Sequence, residues 1–138
     1  MSYLLWAVVA LVAYTLVAPL AKVAMAEMPS DVFALFANSI LVLFAAMVVV
    51  AADYDVTRWL THPKAPYAYA AGLCLAVGII SYYRALSLGP VSVVVPIFGL
   101  FLVTSSALGI VFLDEPLTAR RALGILFAAA AIYLTAVE

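Results

Sequence analysis

Polar side chains are scarce in this sequence, which is 70% hydrophobic and 9% charged. Those that interrupt the apolar runs are therefore the candidates for chemistry. Tyr14, Ala18 and Lys22 recur at i, i+4 and i+8, flanked by Thr15 and Pro19, so one helical face would carry an aromatic ring, a proline and an amine. An amine at the centre of a membrane span costs roughly 2.5–3.5 kcal/mol. Lys22 stands near the end of its apolar run, which leaves it two fates. It either snorkels to the headgroups or faces a polar cavity. Arg84, beside Tyr82 and Tyr83, has the same two options, with an interfacial belt as the preferred one. Were both cations to turn inward, the cavity would favour a carboxylate or phosphate group.

Other polar and small residues form stripes. Cys74, Gly78, Ser81 and Ala85 share one helical face, and Ser92, Pro96, Gly99 and Ser106 share another. Lipid-facing surfaces gain nothing from such stripes, so the sequence predicts that they point inward. Pro19 and Pro96 each remove a helical hydrogen bond and free a carbonyl one turn back, which marks either a cavity wall or a packing kink. Asn38 and Ser39 lie inside an apolar run, where an amide is expected to hydrogen-bond across a helix interface, with substrate contact as the other reading. Ser105 with Gly109, and Gly124 with Ala128, place small residues one turn apart, a spacing that lets helices approach closely either within a protomer or between protomers. The candidate cavity residues are thus Tyr14, Pro19, Lys22, Asn38, Ser81, Tyr82, Ser92, Pro96 and Gly99. The candidate packing or dimer residues are Ser105, Gly109, Gly124 and Ala128.

No enzyme chemistry is expected. His62, the single histidine, belongs to a polar loop before Pro63 and has no triad or metal partners in the pattern, so no catalytic residue, metal or cofactor is assigned. Cys74 is the single cysteine, which excludes an internal disulfide. Six Lys and Arg against seven Asp and Glu leave a net charge of −1, with no basic footprint for nucleic acid.

The elements that must position these residues follow from the apolar runs. A chain of 138 residues this rich in apolar side chains cannot hide them from water, so the excess must face lipid. A spanning helix needs about 20 mainly apolar residues. Five such runs occur, at 3–25, 32–52, 66–88, 91–113 and 118–137, and together they make one transmembrane domain. Between them lie Glu27-Met28-Pro29-Ser30-Asp31, a polar connection at 53–65, Gly89-Pro90 and Asp114-Glu115-Pro116. Thr118 is placed to cap the last helix, with Arg120 and Arg121 in its first turn. Ala24-Met25-Ala26 resembles a leader cleavage site, but the preceding run is longer than a leader's and lacks a basic start, so it reads as a span. Arg58, Lys64, Arg120 and Arg121 on the N-terminal side outnumber Lys22 and Arg84 on the other. The expected arrangement in the cell membrane is N-terminus cytoplasmic and C-terminus outside, with a bias small enough for insertion both ways.

From Tyr82 onward the sequence resembles the repeat of the drug/metabolite transporter superfamily, and within it the EamA-type branch. The resemblance rests on Ala85-Leu86-Ser87-Leu88-Gly89-Pro90-Val91-Ser92 running into Val93-Val94-Val95-Pro96, on Leu113-Asp114-Glu115-Pro116-Leu117-Thr118, and on Ala122-Leu123-Gly124-Ile125. Tyr14, Pro19 and Lys22 extend it to the first span. Two departures stand out. The first span holds no acid, so the proton-coupled cation exchange of the small multidrug pumps is not implied, and Asp114 stands where the repeat commonly has glycine. Full-length members carry two such repeats in inverted orientation, so the resemblance implies that this single repeat pairs with a second copy, antiparallel in a homodimer, or with a paralogue. It also implies that the last two helices help join the halves. The fold class expected is all-α, an integral membrane bundle of five transmembrane helices forming one EamA-like repeat. The expected function is a half-size transporter protomer, surrounded by membrane lipids, that dimerises to move a small organic metabolite by alternating access. A lipid-linked-sugar flippase subunit and a non-transporting membrane scaffold are the alternatives.

Overall fold

The computed structural model describes residues 3–114 and 116–136. Glu115, which matches the repeat's glutamate in sequence, lies outside the described residues. The described chain is helical, in the order α1 (Tyr3–Ala24), α2 (Ser30–Ala51), α3 (Val56–Leu60), α4 (Ala65–Leu88), α5 (Val91–Phe112) and α6 (Ala119–Ala136). Four of these, α1, α2, α4 and α5, are long and apolar enough to cross a membrane. Helix α6 has 18 residues, about 27 Å at 1.5 Å per residue, and so approaches the ~30 Å hydrocarbon core. The architecture is the expected all-α one.

Local chemistry sets the helix ends. Both α2 and α5 start directly after a proline, whose fixed φ suits a helix entry. The carbonyl of Pro29 accepts from the Phe33 N–H at 3.0 Å, and that of Pro90 from the Val94 N–H at 3.0 Å. The same two helices also end alike. After the C-caps Ala52 and Leu113, Asp53 and Asp114 adopt left-handed backbone with φ of 53° and 52°. Aspartate is one of the few residues other than glycine that visits this region readily, and a left-handed residue at this position is a common helix stop. The departure from glycine at Asp114 therefore leaves the turn's conformation intact.

The polar connection at 53–65 contains a feature not foreseen from sequence. Asp55 caps the short helix α3 by accepting from the Thr57 N–H at 3.1 Å and from the Thr57 hydroxyl at 2.6 Å. The Thr57 hydroxyl, first, holds the Asp55 carboxyl below the usual carboxylate range, opposed by desolvation and helped by the backbone N–H groups of Thr57 and Arg58. His62 tightens the next turn, its Nδ1 accepting from the Lys64 N–H at 3.2 Å. The Tyr69 hydroxyl donates to the Leu60 carbonyl at 2.8 Å and so closes the C-terminus of α3.

Two compact units make up the chain. One comprises Met1–Pro19 with Leu88–Glu138, and the other comprises Leu20–Ser87. In the first, α5 and α6 pack together, and an added Cβ at Gly99 would lie 3.9 Å from the Ile132 side chain. In the second, the buried side chains are Ala21, Ala34, Ala65, Tyr83 and Leu86. Leu86 is the largest that is fully buried. Most large apolar side chains of the long helices are exposed, as a bilayer requires and water would penalise.

Candidate functional site

Within the Leu20–Ser87 unit, Lys22 is the first residue to consider. Its ammonium donates to the Leu86 carbonyl at 2.7 Å, in a half-buried position. Leu86 lies in the last turn of α4, where carbonyls have no intrahelical donor. The residue four positions on is Pro90, which has no N–H to offer. Lys22 therefore supplies from α1 the hydrogen bond that the chain itself cannot make, and places a cation at the negative end of α4. This is a third fate for the amine, distinct from both snorkelling and lining a cavity.

The aromatic pair beside it also departs from the sequence reading. Tyr83, expected in an interfacial belt, is 5% exposed and sets its ring against Phe33 of α2 at 4.9 Å and 88°. Edge-to-face geometry and area burial both favour that seat over the headgroup region. Tyr82 is half-buried, with its ring 5.8 Å from that of Tyr83. Arg84 is exposed.

Asn38 does not bond across a helix interface as expected. Its amide donates instead to the Ala34 carbonyl at 2.7 Å, one turn back in α2, which satisfies the group without a neighbour. Its side chain lines a groove of about 700 Å³ between α2 and α4, together with Asp31, Leu41, Gly72, Ile80 and Arg84 among others. Ser81 does not line this groove. With Cys74, Gly78 and Ala85 it falls on the opposite face of α4 by helical periodicity. Ser81 and Cys74 are exposed there, and an added Cβ at Gly78 would meet nothing within 4 Å.

Tyr14, Pro19, Ser92, Pro96 and Gly99 belong to the other unit. Tyr14 is 70% exposed. Pro19 lies inside α1 and Pro96 inside α5, so neither can donate to the carbonyl four residues back, on Thr15 and Ser92 respectively. The Thr15 hydroxyl turns away from that gap and donates to the Leu11 carbonyl at 2.8 Å. Ser92 is exposed and Pro96 half-buried. Gly99 faces α6, so its role in this unit is close packing.

Gly124 and Ala128 line a groove of about 370 Å³ between α5 and α6, with Ser106 and Arg121. An added Cβ at Gly124 would meet nothing within 4 Å. Ser105 and Gly109 are not among its lining residues. Thr118 caps α6 by accepting from the Arg121 N–H at 3.3 Å, and Arg121 donates to the Pro116 carbonyl at 3.0 Å.

Among the described residues, no three His, Cys, Asp or Glu side chains come together in a way that could hold a metal ion. The comparisons with known proteins agree with the character of the helices. The EamA-like transporter family matches the chain over residues 1–137. A protein of Sinorhizobium sp described as an uncharacterized transporter in the cobO 3′ region is 32% identical over 138 residues, which covers 99% of this chain and 97% of that relative. No solved structure matches the chain. Apolar helices of spanning length together with a match over nearly every residue make this a multi-pass membrane protein, and the chain belongs to the EamA-like transporter family.

Proposed function

We propose that this chain is one half of a transporter, and that it pairs with a second copy of opposite orientation to move a small organic metabolite by alternating access. The observation that carries this reading is the exposure of polar and helix-breaking positions on helices built for lipid. Tyr14, Ser81 and Ser92 are exposed on the protomer, and the carbonyls opposite Pro19 and Pro96 have lost their helical donors. Such groups are tolerated in a bilayer only where protein or a watery cavity meets them. A second copy supplies that surface, and a cavity between two inverted repeats is where transporters of this build hold their solute.

The Lys and Arg bias favours a cytoplasmic N-terminus for each chain inserted alone, but it is small enough to permit both orientations. Tyr14, Pro19, Ser81, Tyr82, Ser92 and Pro96 would line the cavity, while Asn38 belongs to the separate groove between α2 and α4. Lys22 would act by holding the end of α4, and Gly99 by holding α5 against α6.

The test uses proteoliposomes loaded with a mixture of cellular metabolites, whose contents are followed by mass spectrometry. The reading requires selective loss of one or a few small solutes through the wild-type protein. It also requires that Ser92→Cys, in a Cys74→Ala background, lose that flux on thiol labelling. Retention of every solute at the level of protein-free vesicles would remove the transport reading and favour a scaffold.

A further inference from the structure

The groove between α2 and α4 has a charged end and an apolar length. On α2 its lining runs from Asp31 to Val42 and on α4 from Gly72 to Arg84. Along α2 this is about 16 Å at 1.5 Å per residue, or roughly half the hydrocarbon core of a bilayer. Phe33 meets Tyr83 near one end, so the start of α2 and the end of α4 lie together there, and Asp31 and Arg84 share that end. Both side chains are exposed, and neither charged group has an ion-pair partner among the described residues. Beyond them the walls are aliphatic, with Leu35, Leu41, Leu75 and Ile79, and the one amide, Asn38, already donates to Ala34.

An occupant that satisfies this lining carries an anion for Arg84 and a cation for Asp31 at one end, followed by an apolar body long enough to fill the groove. A phosphodiester bearing a primary ammonium, joined to acyl chains, has that order of groups. A trimethylammonium headgroup has no N–H to donate to the Asp31 carboxylate. A headgroup with phosphate alone leaves Asp31 without a partner beside a second anion. Neither charge sits deep in the span, so the headgroup would stay at headgroup depth while the chains lie along the groove. We propose that this groove holds a resident phospholipid of the phosphoethanolamine type, with phosphate on Arg84, ammonium on Asp31 and an acyl chain between α2 and α4. The lipid is a fixed component in this account and not the transported solute, so it stands whether or not transport is observed.

The experiment takes the full-length protein, exchanged free of lipid in detergent. It is incubated with phosphatidylethanolamine, phosphatidylcholine or phosphatidylglycerol of identical chains, and retained lipid is counted by native mass spectrometry. The expected result is retention of phosphatidylethanolamine in preference to the other two. Arg84→Gln should lower retention of all three lipids roughly fivefold, since each carries the phosphodiester, the effect of one basic group on an anionic headgroup at a membrane surface. Asp31→Asn should erase the preference for phosphatidylethanolamine over phosphatidylcholine. Gly72→Leu keeps both charges and adds a side chain where a Cβ meets nothing within 4 Å, so it should lower retention by filling the groove without disturbing the fold. Equal retention of all three lipids, or wild-type retention in all three variants, would overturn the proposal. So would efficient disulfide trapping of Val42→Cys between two chains, in a Cys74→Ala background in phosphatidylethanolamine vesicles, because a second copy would then occupy the groove.

Discussion

The Lys22 ammonium lies 2.7 Å from the carbonyl oxygen of Leu86 and takes the place of the N–H that Pro90 lacks. Leu86 is fully buried, so water offers its carbonyl no substitute. Replacing Lys22 with methionine would leave that acceptor buried and unmet, at a cost of about 1–3 kcal/mol. The expected outcome is a lower thermal unfolding temperature in the absence of any solute, with faster amide exchange in the last turn of α4. Lys22→Arg, which keeps a donor, should retain part of the stability. Unchanged exchange at Ser87 and Leu88 in Lys22→Met would contradict the capping role.

How far this was legible in the sequence depends on the range of the interaction. Apolar runs and prolines act locally, so the all-helical membrane character and the entry of α5 after Pro90 could be read directly, whereas the apolar run alone puts the start of α2 at Val32 and misses its first turn from Ser30. The capping role of Thr118 also follows from its neighbours. Lys22 was singled out by the energetic penalty of its position, but its partner is 64 residues away and the spacing alone cannot point to it. Tyr83 was misplaced for the same reason, because burial against Phe33 depends on how α2 meets α4. Asn38 met its need one turn back, an option open to any helical amide. The cap of α3 had a signal, Asp55 two residues before Thr57, within a connection whose polarity made it look unstructured.

The two aspartates in left-handed backbone give a second expectation. Asp114→Gly removes the steric penalty of a side chain at φ 52° and should raise stability by up to about 1 kcal/mol. Asp114→Val, branched at Cβ, should lower it by about 1–2 kcal/mol. Thermal unfolding of the two variants beside wild type, in one detergent, measures both. Equal stability of the valine and glycine variants would show that this turn does not govern the end of α5.

Gly99 and Gly124 should respond in opposite ways. A Cβ at Gly99 already reaches 3.9 Å from Ile132, so Gly99→Leu overpacks the α5–α6 contact and should cost about 1–3 kcal/mol. Gly124→Ala meets no atom within 4 Å and should stabilise α6 by about 0.5–1 kcal/mol. If the Gly124 and Ala128 face joins two copies, Gly124→Ala will also weaken their association measured in the same detergent. Loss of folding in Gly124→Ala would contradict the open space at that position.

The cap of α3 should be sensitive to acid. The Asp55 carboxyl is held below its usual range chiefly by the Thr57 hydroxyl, so the cap is fully present above about pH 4, the unfolded carboxyl value. It is lost as pH falls through the lower folded value, because protonation then removes the acceptor. Following the Asp55 side-chain carbonyl by NMR during acid titration, Thr57→Val should bring the midpoint back up towards the ordinary carboxylate range. An unmoved midpoint would show that the hydroxyl is not the cause.

The orientation of the two termini tests the paired half-transporter most directly. In a Cys74→Ala background, single cysteines introduced by Ser2→Cys or by Glu138→Cys are exposed to a membrane-impermeant thiol reagent on intact cells. Two copies of opposite orientation predict labelling of each terminus in about half of the molecules, as a small charge bias permits. Labelling at position 138 alone would fix every chain in one orientation and contradict the antiparallel pair.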